Sequence, residues 1–349
     1  MDGAQVAGLA ERVRPTKEVL AVQLRSMLSL PVAALALVAC RGFSTVSQDP
    51  SPEPTHIRLP MGYIPNVQYA PFYIAVDRGY FLEEGIEVEF DYSFETDGVQ
   101  LVGANQLPFA LVSGEQVLLA RAQGLPLVYV YAWWQDYPVA IAAPQEKGIR
   151  TPEDLVGKRV GIPGLFGASY IGYRAILGAA GLPDDVAILD SIGFNQVEAL
   201  LAGQADAVVI YANNEPIQLE AQGMPVSLIR VADYVRLASN GLVTNEATLA
   251  ANPDLVRGML RAVARGLEEA IAHPEAAFEV CLKFVEGLEQ ADQTVQMKVL
   301  RASIDFWRAE RLGFSQPEAW ENMHQVLLQA GLLTQPLDVT EAYSNEYLP

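Results

Sequence analysis

Amide and aromatic side chains occur together in a short segment of this 349-residue chain. Tyr63, Asn66, Gln68 and Tyr69 follow residues 57–62, which have the pattern of a short strand. Amide groups donate and accept hydrogen bonds, and aromatic rings present flat apolar faces. The segment therefore suits a flat heterocycle with polar edges. Asn66 could instead be a turn residue or a helix cap, and Tyr69 could be a packing residue.

Further binding candidates directly follow the next strand-like runs. They are Ser113 and Glu115 after residues 109–112, and Trp133, Trp134 and Tyr137 after residues 127–131. The Glu115 carboxylate could accept paired N–H donors from a heterocycle, and an indole ring could stack on its face. Ser113 and Gln116 also have the spacing of a capping box. One tryptophan could equally fill the core while the other shields a hinge.

A third group of candidates lies in the middle of the chain, again after strand-like runs or at turns. The group consists of Phe166, Ser169, Asn195, Tyr211, Asn213, Glu215 and Asn240. Glycines on either side of Phe166 would let a ligand approach the backbone, although the same pattern is common in a turn before a helix. Asn195 has the alternative role of a helix cap, and Asn240 that of a tight-turn residue.

Histidine and cysteine are scarce, which disfavours catalytic and metal sites. The three histidines, His56, His273 and His324, all lie outside the candidate segments, and the chain has only two cysteines. Cys281 sits in a helical apolar pattern, where a free thiol is most often a core residue. We therefore expect no catalytic residue, no metal site, no disulfide and no cofactor.

The charge balance limits the partners and the ligand. The formal net charge is −19 at pH 7, which argues against binding to nucleic acid or to anionic lipid surfaces. Lysine and arginine are rare near the candidate residues, apart from Arg174 and Arg230. We therefore expect a neutral or weakly charged ligand rather than a sulfonate or a phosphate. The paired tryptophans favour a ring system larger than a pyrimidine.

The first 40 residues have the layout of an export signal. Arg12, Arg14, Lys17 and Arg25 precede an apolar run at residues 27–39, which is shorter than the roughly 20 residues that span a bilayer. The run ends in LVAC, which resembles a bacterial lipobox with Cys40 as the lipidated mature N-terminus. An ordinary signal peptide with an incidental cysteine is the alternative. We expect a signal peptide at residues 1–39 and a flexible tether rich in Ser and Pro at residues 40–56.

Strand-like and helical patterns alternate through the rest of the chain. Strands are predicted at residues 57–62, 86–90, 109–112 and 127–131, and the alternation starts again with strands at 159–162, 187–189 and 207–210. This order is typical of an α/β fold with two similar units in tandem and parallel-rich sheets. From residue 253 onward the pattern is mainly helical, and such a tail would return to cover the first unit.

Several motifs resemble those of the extracytoplasmic substrate-binding proteins of ABC importers, and in particular those of the group related to thiamine-pyrimidine synthase. They are MGYIPNVQYAPFYIA at residues 61–75, GYF at 79–81, EGI at 84–86, TPEDL at 151–155 and GKRVG at 157–161. The resemblance runs from about residue 57 to 276. It implies a two-lobed type II periplasmic-binding-protein fold with two crossing segments as its hinge, near residues 142–144 and 240–245. Lobe I would take residues 57–142 and 243–349, and lobe II residues 143–242.

The resemblance implies a receptor that binds riboflavin between its lobes and delivers it to an ABC permease in the membrane. Formylaminopyrimidine, a thiamine precursor, is the alternative ligand. A pyrimidine-synthase-type enzyme is the alternative activity, but the active-site histidine and the cysteine-rich motif of the yeast-type enzymes have no counterpart here. A sensory relative without transport is a third possibility. We expect a monomer that is lipid-anchored on the extracytoplasmic face of the cell membrane.

Overall fold

The computed structural model describes residues 53–349. The predicted signal peptide, Cys40 and most of the predicted tether lie outside these residues. The first strand, β1 (Thr55–Gly62), begins within the stretch predicted as tether. Thr55 and His56 pair with Ile86 and Glu87, so the end of the predicted tether belongs to a sheet.

Two small sheets form the first half of the fold. β1 pairs in parallel with β2 (Ile86–Phe94). β10 (Gly241–Asn245) runs antiparallel between β3 (Ala110–Val112) and β4 (Leu127–Ala132). We use the name lobe I for these two sheets and the helices packed on them. Because β10 follows β4 by more than a hundred residues, lobe I is assembled from separate segments of the chain.

Five strands from the middle of the chain form a single mixed sheet. They are β5 (Val139–Pro144), β6 (Arg159–Ile162), β7 (Ile188–Ser191), β8 (Ala207–Tyr211) and β9 (Val226–Arg230). The strand order is β7-β6-β8-β5-β9. β6 is parallel to both of its neighbours, whereas β5 is antiparallel to β8 and β9. The prediction of parallel pairing therefore holds for one side of this sheet, which with its helices we name lobe II.

The chain passes between the lobes at positions that differ from the predicted ones. It leaves the lobe I sheet after Ala132, enters the lobe II sheet at Val139, and returns between Arg230 and Gly241. The crossing predicted near residues 142–144 lies inside β5, which starts earlier because Val139 already pairs with Tyr211. The predicted lobe limits at residues 142 and 242 therefore cut through β5 and β10.

Twelve α-helices surround the sheets in residues 53–349. They are α1 (Ala70–Asp77), α2 (Tyr80–Glu83), α3 (Glu95–Gly103), α4 (Gly114–Ala122), α5 (Gly167–Ala179), α6 (Gln196–Leu201), α7 (Glu215–Ala221), α8 (Glu246–Ala251), α9 (Pro253–Ala272), α10 (Pro274–Phe284), α11 (Gln293–Trp307) and α12 (Pro317–Gln329). Within this part of the chain, none of the helices has the length and apolar character needed to cross a membrane. Between β1 and α1 the chain forms a 3-10 turn (Val67–Tyr69).

α9 packs tightly against α1 in lobe I. Met259, Leu260, Val263 and Leu267 of α9 are buried, as their helical spacing predicts. Gly266 lies on the same face, and a Cβ atom at this position would overlap the carbonyl oxygen of Pro71. The absence of a side chain at this position therefore sets how closely the two helices approach.

The C-terminal segment contacts both lobes. The amide of Tyr129 in β4 donates to the carbonyl oxygen of Ala342 (2.8 Å), and the amide of Ser344 donates to the carbonyl oxygen of Tyr129 (2.9 Å). Trp320 of α12 stacks on Tyr343 at 5.2 Å. α12 also packs against α4 in lobe I and against α5 in lobe II. The tail therefore covers lobe I, as predicted, and reaches lobe II as well.

Gly266→Ala should destabilise the protein by about 2 kcal/mol or more, because the added methyl group forces α9 away from α1. Urea unfolding followed by circular dichroism measures the change. Gly258→Ala is the matched control on the same helix, since a Cβ there meets only side-chain atoms of Glu84 and Arg261. Its free energy of unfolding should change by less than about 1 kcal/mol. Equal losses in both variants would contradict the close-approach explanation.

Candidate ligand-binding cleft

A cavity of about 210 Å³, below the range of about 300–1,000 Å³ that is typical of pockets for drug-sized ligands, lies between the lobes where strands of both lobes end. Residues after β1, β2 and β4 line it from lobe I, and residues after β6, β7 and β8 line it from lobe II. The predicted binding residues in its wall are Tyr63, Gln68, Tyr69, Trp133, Trp134, Phe166, Ser169, Tyr211, Glu215 and Asn240. Strand ends thus bring together side chains that are far apart in sequence.

The two tryptophans after β4 both line the cavity and are almost fully buried. Trp133 stacks on Tyr69 with ring centroids 5.4 Å apart and meets Trp134 edge-on at 5.4 Å. Trp134 lies 6.2 Å from the ring of Trp307 in the core. The indoles therefore form a wall of the cavity and also fill the core behind it. The Nε1 atom of Trp133 has no hydrogen-bond partner among the described residues.

Three phenylalanines converge at the cavity from opposite lobes. Phe94 at the end of β2 lies 6.4 Å from Phe166 and 6.3 Å from Phe194, both of lobe II. All three remain largely exposed, at 53%, 55% and 40% of their surface. A contiguous group of exposed apolar rings is typical of a ligand-binding or interaction site. We name these three residues the aromatic clasp.

A chain of hydrogen bonds connects the lobes at the cavity. Tyr211 donates its hydroxyl to Asn240 Oδ1 (3.0 Å), and Asn240 Nδ2 donates to Glu95 Oε1 (2.9 Å). The Ser113 amide and hydroxyl both donate to Glu95 Oε2, at 3.2 Å and 2.6 Å. Asn240 precedes β10 on the segment that returns to lobe I. It therefore links a strand end of lobe II to a carboxylate of lobe I.

Two carboxyl groups in the cavity wall are held without a cationic partner. Burial raises the pKa of Glu215 to about 7, although hydrogen bonds to its carboxyl group, including one from the amide of Tyr211 (3.0 Å), partly lower the pKa. Burial also raises the pKa of Glu95, again against hydrogen bonds from Ser113 and Asn240 that lower it. No lysine or arginine of the described chain lines this cavity. The site is therefore rich in hydrogen-bond acceptors and poorly suited to an anion.

Six predicted binding residues lie outside the cavity wall, and each makes side-chain hydrogen bonds within the protein. Asn66 accepts from the amide of Gln68 (3.1 Å), Asn195 donates to Ile192 O (2.9 Å), and Tyr137 donates to Ala168 O (2.9 Å). Asn213 is buried and donates to Gln68 and Ser303. Ser113 and Glu115 lie behind Glu95, as its hydrogen bonds show. The Asn66 side chain caps the 3-10 turn, which is one of its two alternative roles given above.

Several residues of the wall were not predicted as binding residues. They include Phe94, Glu95, Thr96, Gln116, Phe194, Gln196 and Asn214. Glu95 was missed because the second strand was predicted to end at residue 90, whereas β2 continues to Phe94. With the correct strand end, Glu95 would have stood directly after a strand, the position that identified the other candidates.

The family model described as NMT1/THI5 like matches residues 66–277. The chain belongs to this family. The matched segment contains every residue of the cavity wall except Met61, Gly62 and Tyr63. Most of the cavity wall therefore lies in the part of the chain that matches the NMT1/THI5 like family.

Similar proteins include both receptors and enzymes. The riboflavin-binding protein RibY of Chloroflexus aurantiacus is 39% identical, over 87% of this chain and 90% of that protein. The formylaminopyrimidine-binding protein of Halalkalibacterium halodurans is 28% identical, over 91% and 98%. The 4-amino-5-hydroxymethyl-2-methylpyrimidine phosphate synthase of Legionella pneumophila is 24% identical, over 84% and 93%.

The solved structure of the alkanesulfonate-binding protein SsuA from Xanthomonas axonopodis pv. citri superimposes with a TM-score of 0.65 at 15% identity, covering 84% of this chain and 99% of that one. This likeness shows the α/β periplasmic-binding-protein fold. At this identity it does not extend to the ligand, and the SsuA name does not predict a sulfonate here.

Asn240→Ala should lower the free energy of unfolding by about 1–3 kcal/mol, because it leaves Glu95 Oε1 and the Tyr211 hydroxyl without their partner. Asn195→Ala is the control: Asn195 is exposed, so loss of its one side-chain hydrogen bond should cost less than about 1 kcal/mol. Chemical unfolding without ligand measures both. A loss no larger at Asn240 than at Asn195 would contradict the role of Asn240 as a link between the lobes.

Proposed function

We propose that this protein is the substrate-binding component of an ABC importer and that it captures riboflavin in the cavity between its lobes. The observation that carries the proposal is a wall of aromatic rings and hydrogen-bonding side chains, without lysine or arginine among the described residues, in a chain 39% identical to a riboflavin-binding protein. A planar ring with N–H and C=O groups on its edge matches both parts of that wall.

The aromatic groups supply affinity and the polar groups supply orientation. An aromatic pair adds about 0.5–1.5 kcal/mol beyond the burial of apolar area, so a large ring that meets several side chains gains most. Glu95 and Glu215 line the same wall, and their carboxyl oxygens can accept from N–H groups on the edge of a ligand.

Closure of the cleft follows from contacts on both sides of it. Trp133 and Glu95 come from lobe I, and Phe166, Phe194 and Glu215 come from lobe II. A ligand that touches both sets favours the closed state by the free energy of the contacts it makes only there. The closed form is the one that we expect a membrane permease to recognise.

A thiamine-precursor pyrimidine is the second candidate ligand. It is favoured by the 28% identity to a formylaminopyrimidine-binding protein and by the modest cavity volume of about 210 Å³. The same wall would stack a pyrimidine ring, and Glu215 or Glu95 would accept its amino N–H groups. The number of aromatic side chains around the cavity favours the larger ring.

Binding without turnover is the activity that we propose. The two relatives with the higher identities are named binding proteins, whereas the synthase matches at 24% identity. None of the described residues that line the cavity is a histidine or a cysteine. If the protein were a pyrimidine-synthase-type enzyme, a pyrimidine product would accumulate during incubation. If it is a receptor, no product accumulates.

Anchoring by Cys40 is a further part of the proposal. The LVAC sequence supports lipidation of this cysteine, the location of the folded body on the extracytoplasmic face of the membrane, and delivery to a permease there. We also propose that the body acts as a monomer. Metabolic labelling with a radioactive fatty acid tests the first point, since Cys40→Ala should abolish the label.

Riboflavin should raise the unfolding midpoint of residues 53–349, and it should do so more than formylaminopyrimidine, thiamine or taurine. Binding to the native state alone stabilises it by about 2.7 kcal/mol when the ligand concentration is about 100 times Kd. Differential scanning fluorimetry ranks the ligands, and quenching of flavin fluorescence provides Kd. A larger shift with formylaminopyrimidine would favour the second candidate, and a shift with none of the four would overturn the proposal.

Phe94→Ala should speed riboflavin dissociation by about two- to tenfold, because it removes the lobe I side of the aromatic clasp. Stopped-flow displacement of bound flavin measures the rate. Leu82→Ala is the control, since Leu82 is similarly exposed but lies outside the cavity. Because both side chains are largely exposed, neither change should unfold the protein. Equal rates in the two variants would exclude a role for the clasp in retaining the ligand.

A further inference from the structure

Ser113 lies between two carboxyl groups that both need its hydroxyl. Its Oγ donates to Glu95 Oε2 at 2.6 Å and also contacts Glu115 Oε1. A hydroxyl has one hydrogen and can donate only once. If both carboxyls were ionised, one of the two contacts of Ser113 Oγ would bring two hydrogen-bond acceptors together with no proton between them. One carboxyl must therefore carry a proton and donate to Ser113 Oγ.

The number of donors distinguishes the two carboxyls. Glu95 accepts from three: the amide and hydroxyl of Ser113 and Nδ2 of Asn240. Apart from the Ser113 contact, the donors to Glu115 are Gln116 Nε2 at 3.5 Å and the backbone at the start of α4, and Glu115 Oε2 has no partner among the described residues. An ionised carboxylate that is buried without donors is far costlier than a neutral one. The charge therefore belongs on Glu95.

The surroundings of Glu115 also favour its protonated form. Burial raises its pKa to about 8, and the charge of Glu95 contributes to the rise, whereas Ser113 and the backbone at the start of α4 oppose it. The titratable groups that face the pair are the phenols of Tyr137, Tyr211 and Tyr69. None of these described neighbours is a cation that could stabilise a second negative charge.

We propose that Glu115 is protonated at neutral pH and donates to Ser113 Oγ, which donates to Glu95 Oε2, so that Glu95 is the ionised acceptor facing the ligand. The proton stays on Glu115 Oε1, and no bond to it is broken. Glu95 still has acceptor capacity towards the cavity, since each carboxylate oxygen has two lone pairs. The ligand edge at this position therefore carries an N–H or O–H donor, and anionic ligands are repelled. Glu115 is a positioning residue that acts through Ser113.

This proposal rests on the function proposed above. Replacing each carboxyl group by an amide distinguishes the role of Glu95 from that of Glu115. Glu115→Gln supplies an N–H donor to Ser113 in place of the acid proton, so riboflavin Kd at pH 7 should stay within about threefold of the unaltered protein. Glu95→Gln removes the charge that faces the ligand and should raise Kd by about tenfold or more. Glu115→Ala, which removes the donor, should also raise Kd, and its rescue by Gln identifies donation as the role. The reverse order for the two Gln variants would overturn the assignment.

Two measurements need no ligand and remain informative if riboflavin does not bind. The infrared C=O stretching band of a protonated carboxyl should be present at pH 7 and should weaken in Glu115→Gln. The pKa of Glu115 is higher in the folded state than in the unfolded state. Glu115 therefore contributes stability that is fully present below pH of about 4.5 and is lost as the pH rises through about 8. The decline in unfolding free energy over this range should therefore become shallower in Glu115→Gln. An unchanged band and an unchanged slope would overturn the proton assignment, whatever the ligand is.

Discussion

The cleft buries carboxyl groups where the described chain places no cation, and much of the site follows from that constraint. A carboxylate taken out of water must find donors or a proton. Here the donors are neutral: the amide and hydroxyl of Ser113, the amide group of Asn240 and the backbone amide of Tyr211 at the end of β8. Each of them lies at a strand end or on a segment between the lobes. The positions of the strands thus decide how the charge is held.

The same contacts connect ligand binding to the hinge. Asn240 lies on the returning segment and joins Tyr211 of lobe II to Glu95 of lobe I. Trp133 and Trp134 lie on the outgoing segment and pack on the core as well as on the cavity. A ligand in contact with these side chains therefore touches both segments on which the lobes turn. Small changes at the cavity can bias the relative position of the lobes because the packed core behind it resists deformation.

Secondary structure and the general position of the site followed from local patterns. The alternation of strands and helices predicted the α/β fold, and the rule that parallel strands bind ligands at their carboxyl ends led to Tyr63, Trp133, Phe166 and Tyr211. The prediction failed where a strand was longer than its apolar run. Residues 91–94 contain polar side chains, yet they continue β2, because backbone pairing with β1 does not depend on side-chain hydropathy. Glu95 and Phe94 were missed for this reason.

By itself, the sequence determined the class of fold, the family resemblance and the set of segments from which a site could be made, because periodicity and turn chemistry are local properties. Only the tertiary structure decided which side chains of those segments face the cavity. Asn66, Asn195, Asn213 and Asn240 are chemically alike and all use their amides in hydrogen bonds to protein groups, yet of these four Asn240 alone lies in the cavity wall. The pairing of Glu95 with Glu115 through Ser113 likewise depends on helix α4 packing beside α3. The contacts of Asn213 with Gln68 and of Asn240 with Glu95 join segments far apart in the chain, and no local pattern encodes them.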